Sequence, residues 1–130
     1  MSETIKNVLT ETEKIDWPEI IRENFFSAED DLEKAYKKAK KKTEESGDLL
    51  YWLGMYRLKK ASQVYCPARI DSNITRAKGY FEKALEEYPE QAKIKKQFVL
   101  RIIDTIKTEN LFIKEKITEL INQGNGLAKI

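Results

Sequence analysis

Ala77, Phe81 and Ala84, spaced four and then three residues apart and followed by Pro89, constrain this chain more than any other feature. Residues at that spacing share one helical face, where small side chains let a neighbouring backbone approach and the large one fills the groove between. Pro89 then stops the helix, because it lacks the N–H and its ring crowds the preceding turn. Ala28, Leu32 and Ala35 fit the same template 49 residues earlier, and Leu32-Glu33-Lys34-Ala35 runs parallel to Phe81-Glu82-Lys83-Ala84. Faces of this kind pack helix against helix.

The rest of the chain keeps that rhythm. From about Glu3 to Ile15, the residues Ile5, Val8, Leu9, Thr12 and Ile15 share a face. Asp16-Trp17-Pro18-Glu19 reads as a break and restart, with Asp16 capping and Pro18 in a first turn. A short helix with Ile20, Ile21 and Phe25 follows. Ser27 to Asp30 has the spacing of a cap, predicting a helix to about Glu45 with Gly47 as its left-handed stop. Asp48 then caps a helix from Leu49 to about Ala61 that is apolar nearly all round and therefore buried between neighbours. Cys66-Pro67 and Asp71-Ser72-Asn73 mark most of Ser62 to Asn73 as connector. Helix resumes to Tyr88. The next helix, about Glu90 to Lys107, turns Ile94, Phe98, Val99, Ile102, Ile103 and Ile106 inward. The last carries Ile113, Ile117, Leu120 and Ile121 and ends at Gly124-Asn125-Gly126. No strand alternation occurs, so the predicted class is all-α, in one domain over residues 1–130.

Leu50, Leu53 and Gly54 followed by Ala77, Phe81, Ala84 and Pro89 resemble the two helices of a tetratricopeptide repeat. The likeness covers about residues 49–89 and extends more loosely to 28–45. Arg57 departs from it, standing where the family prefers an aromatic. The gap from Gly54 to Ala77 also exceeds that of an ordinary repeat of about 34 residues, which predicts an extended connector at about 61–74. The resemblance implies antiparallel helical hairpins, in a right-handed superhelix or a compact bundle of about six helices. It further implies a concave groove for a protein segment, faced by Asp48, Tyr51, Met55, Leu58 and Lys59. The alternative is that the terminal helices fill that groove. A subset of the family clamps a chaperone carboxylate with Lys and Asn; Tyr51 and Met55 stand at those positions, so that clamp is not expected.

Catalytic chemistry finds little to work with. The chain has no histidine and one cysteine, Cys66. That excludes His-based triads, Cys–His pairs and an internal disulfide, and no glycine-rich phosphate loop is present. We expect no enzymatic activity, no cofactor and no metal. The apolar runs fall short of the ~18 residues that span a bilayer, and with a lone thiol the expected location is cytoplasmic. Charge is uneven: residues 1–33 carry a net −7, residues 34–101 a net +9 and the remainder none. Either the acidic arm packs on the basic body, or the body attracts a polyanion. Lys37, Lys38, Lys40, Lys41 and Lys42, with Lys59, Lys60, Arg69, Arg76, Lys93, Lys95 and Lys96, would then contact nucleic acid phosphates. The expected partner is a protein or peptide; nucleic acid and self-association are the alternatives.

Overall fold

The longest apolar stretch becomes helical because Thr43 and Ser46 start it. The Thr43 hydroxyl accepts from the Ser46 N–H at 3.1 Å, and the Ser46 hydroxyl accepts from the Thr43 N–H at 3.0 Å. Each satisfies a backbone donor that the first turn leaves open. A computed structural model describes residues 15–130. Among them it holds six α-helices: α1 Trp17–Glu23, α2 Phe25–Lys38, α3 Glu44–Ser62, α4 Pro67–Glu87, α5 Lys93–Thr108 and α6 Lys114–Gly124. A 3-10 turn, Asn125–Lys129, follows. The architecture is all-α, as the apolar spacing predicts. Of the expected first segment, about Glu3 to Ile15, all but Ile15 lies outside the described residues.

The helix α3 is the centre of the bundle. Its buried residues run from Leu49 to Tyr56 without a gap and include Leu58 and Ala61, so it must be covered on several sides. Its largest interface is with α4, while α2 and α6 also pack on it and α5 packs on α4. Ala77, Phe81 and Ala84 are fully buried on α4, as are Ala28 and Leu32 on α2. At Gly54 the Phe81 ring of α4 packs directly on the α3 backbone. A Cβ there would meet the Phe81 ring at 2.5 Å, so only glycine admits the ring.

Several boundaries differ from expectation. Gly47 is not a helix stop but lies inside α3, buried, because a Cβ there would strike the Tyr88 ring at 2.4 Å. The left-handed residue between α2 and α3 is Lys42, at φ 60°. Asp48 does not cap; Thr43 does. Ser27 does not cap α2 either, which begins at Phe25 with Asn24 before it. The connector expected at 61–74 contracts to Gln63–Cys66, and the extra length lies in a 19-residue α3 and a 21-residue α4. Pro67 opens α4, a position where its missing N–H costs nothing. The polar run Asp71-Ser72-Asn73 stays helical because Asn73 is used by tertiary structure. Its amide donates to the Arg69 carbonyl at 2.9 Å and accepts from Arg57 Nη1 at 3.1 Å. Ile94 points outward at 66% exposure, while Val99, Ile102 and Ile103 are buried.

Two polar ties fasten helix ends. Glu87, at the end of α4, accepts from the Lys42 backbone N–H at 2.7 Å and from the Ser46 hydroxyl at 2.9 Å. These donors hold its carboxyl below the usual carboxylate range, the Lys42 amide foremost. At the other end of the bundle, Lys114 donates to the carbonyls of Ala61 and Val64 and stands over the Tyr65 ring. It thereby caps the C-terminus of α3 from the first residue of α6.

Candidate binding clefts beside α1

The face of α3 that carries Asp48, Tyr51, Met55 and Lys59 is already covered within the chain. From one side α6 lies on it: the Tyr51 hydroxyl donates to the Gly124 carbonyl at 2.7 Å, and a Cβ on Gly124 would touch Met55 at 2.6 Å. Burial raises the Tyr51 phenol well above its ordinary pKa. From the other side α1 lies across α3 and the C-terminal turn. Its contact is made by Trp17 and Ile21, its two buried residues, with Ile20 half-buried against the core. Burying two such side chains contributes about 3–6 kcal/mol before the ordering of the chain is counted against it.

The five residues expected in an open groove are therefore divided. Tyr51 and Leu58 are fully buried, and Met55 is 2% exposed. The expected apolar stripe is core in this fold, and α6 lies on its Tyr51 and Met55. Asp48 lines one cleft and Lys59, with the edge of Met55, lines another.

The larger cleft has a volume of about 940 Å³ and lies between α1, the end of α2, the first half of α3 and the C-terminal turn. Its apolar lining is Ile15, Trp17, Ala35, Ala39, Leu49, Trp52 and Leu127, and Lys38, Lys129, Glu44 and Glu45 add charge. Asp48 and Lys95 also line it. Lys95 is nearly buried, with 7% of its side chain exposed, and its ammonium contacts both Asp48 oxygens at 2.9 and 3.0 Å. Glu44 lies 3.4 Å from it. Tyr88 donates to Asp48 at 2.5 Å, and its phenol is raised in pKa by burial first and by the Asp48 charge second. A buried ammonium needs such partners, since an unpaired one would be expelled or neutralised.

The smaller cleft, about 460 Å³, lies on the other side of α1, against Met55 and Lys59 of α3 and Ile121 and Asn122 of α6. Asp16, Pro18 and Asn125 border both clefts. The helix α1 and the C-terminal turn thus separate two open spaces along one face of α3.

The basic residues assigned to a polyanion surface are partly committed elsewhere. Lys95 is buried, Lys41 donates to the Tyr36 and Ala39 carbonyls, and Lys42 donates to the Glu86 carbonyl. Arg57, at the position where the resemblance expects an aromatic, lies 2.6 Å from Glu29 with 12% of its side chain exposed. That contact lacks hydrogen-bond alignment, and Arg57 Nε and Glu29 Oε2 have no directed partner. The thiol of Cys66 is exposed at the start of α4, where the Arg69 and Ala68 amides lower its pKa.

Trp17, Ile21 and Lys95 are the site residues that sequence reasoning placed elsewhere or passed over. Lys95 could have been found: it stands four residues before Val99 and seven before Ile102, on their inward face. Among the described residues no cluster of three or more His, Cys, Asp and Glu could hold a metal, and no helix is long and apolar enough to cross a membrane. No family model matches the chain, and comparison with the curated proteins and with the solved structures finds no match.

Proposed function

We propose that this chain is a small helical protein-interaction module, similar to a tetratricopeptide-repeat adaptor, that holds a protein segment in the larger cleft beside α1. The observation that carries the reading is the cleft itself, about 940 Å³ with Trp17, Leu49, Trp52 and Leu127 as apolar lining and charged residues of both signs around them. Apolar walls with a few placed polar groups describe a recognition site, and the mixed signs suit a peptide better than a polyanion. Burial of Lys95 in an ion pair also takes one cation from the nucleic-acid alternative.

The test uses Ala39→Arg, which projects a bulky cation into the cleft from the partly buried end of α2. Peptides are selected on the wild-type chain from a random display library and then measured against the folded variant. Selected peptides should lose affinity by at least about tenfold. Equal binding to both proteins would sink the cleft as the site.

A further inference from the structure

Ile15, the first described residue, lines the larger cleft, so the chain that precedes it enters the molecule at that cleft's rim. At Asp16 the backbone leaves the helical region, with φ −88° and ψ 81°, and the Asp16 carboxylate accepts from the Glu19 amide. The helix α1 therefore begins afresh at Trp17 and does not set the course of the chain ahead of Asp16. The sequence of that preceding segment matches the cleft. Ile5, Val8, Leu9 and Thr12 fall on one face at helical spacing, while Glu3, Lys6, Asn7, Thr10 and Lys14 fall opposite them. The stripe from Ile5 to Thr12 measures about 10 Å at 1.5 Å per residue. On the same scale the α3 residues that line the cleft, Glu44 to Trp52, cover about 12 Å. The apolar wall is made by Trp17, Leu49, Trp52 and Leu127, a surface that an aliphatic stripe is driven to cover. No linker separates the segment from that wall, so its effective concentration there is on the order of millimolar.

We propose that residues 2–14 of this chain are the resident occupant of the larger cleft, seating Ile5, Val8 and Leu9 on its apolar wall, and that an incoming protein segment binds by displacing them. The cleft is in this way self-inhibited. This regulates the site proposed above and rests on that reading for the incoming ligand. A resident that holds the cleft about nine-tenths of the time weakens any competitor about tenfold. The competitor must offer the same chemistry as the resident, an aliphatic stripe at helical spacing, and it must gain enough contact to overcome a rival that is already tethered.

Contact is tested on the isotopically labelled wild-type full chain. Nuclear Overhauser contacts should join the Val8 or Leu9 methyls to the Leu49 methyls or the Trp52 indole, both on the cleft wall; their absence overturns the proposal. Inhibition is tested with full-length Val8→Asp/Leu9→Asp and the peptides selected on the wild-type chain. The folded variant should bind those peptides about tenfold more tightly than wild type does, and a synthetic peptide of residues 2–14 should compete with them on the variant. Equal affinity for variant and wild type overturns the proposal, as does a synthetic peptide that fails to compete. Should the double variant fail to fold, Leu9→Ser carries the same comparison. If the selected peptides lose affinity through Ala39→Arg yet bind Val8→Asp/Leu9→Asp and wild type alike, the interaction function stands and self-inhibition falls. If they ignore Ala39→Arg, the interaction function falls and takes self-inhibition with it.

Discussion

At Gly54 a hydrogen atom decides how α3 and α4 meet. Gly54→Ala gains helix propensity of about 1 kcal/mol, but its Cβ falls 2.5 Å from the Phe81 ring. Overpacking of that kind outweighs the gain, and the variant should lose about 1–3 kcal/mol in urea denaturation. Gly47 has the same relation to Tyr88, and it shows why a residue type misleads when read locally. Glycine before an apolar run looks like a stop, yet the residue that requires it lies 41 positions later. Lys95 is a second case. Lys95→Met should cost about 1–3 kcal/mol, less than a fully enclosed pair because Asp48 keeps 27% exposure. Adding Asp48→Asn should return part of that loss, since the uncompensated carboxylate is then gone. A double-mutant cycle by denaturation checks both.

Elements depend on how their ends are fastened. Glu87 binds the Lys42 amide and the Ser46 hydroxyl, so the α2–α3 turn is clasped to the end of α4. Because these donors depress its pKa, the ionised carboxylate stabilises the fold. That contribution is fully present above the ordinary glutamate pKa of about 4.3, and it fades as pH falls through the lower folded value. The stability difference between wild type and Glu87→Gln should therefore be present at neutral pH and vanish in acid, measured by paired thermal melts across pH. Lys114→Ala uncaps α3 and should cost about 1–2 kcal/mol at any pH in that series. The helical class was readable from apolar spacing, because the outer helices each bury one stripe and α3 is apolar nearly all round. The ends were less readable. Turn-forming residues such as Asp71-Ser72-Asn73 were free to stay helical once Arg57 used Asn73, and that contact is not local.

Across the whole molecule, charge and coverage set what the surface offers. The net +9 of residues 34–101 suggested a polyanion, yet Lys95, Arg57, Lys41 and Lys42 are engaged within the chain. Retention on duplex DNA should consequently be absent at physiological salt; retention there with a steep salt slope would reverse the conclusion. The face expected from the repeat-like register is divided, with Tyr51, Met55 and Leu58 buried and Asp48 and Lys59 lining separate clefts. Its occupants could not be read from the register, because α1 and α6 reach it from distant positions in the chain.

The bond from Tyr51 to the Gly124 carbonyl joins positions 73 residues apart. During synthesis the ribosome makes Tyr51 and Met55 long before it makes Gly124. A nascent chain released through α5 therefore bears an uncovered aromatic and aliphatic surface until α6 emerges. Chains stalled or truncated in that interval should be the ones that engage chaperones or aggregate.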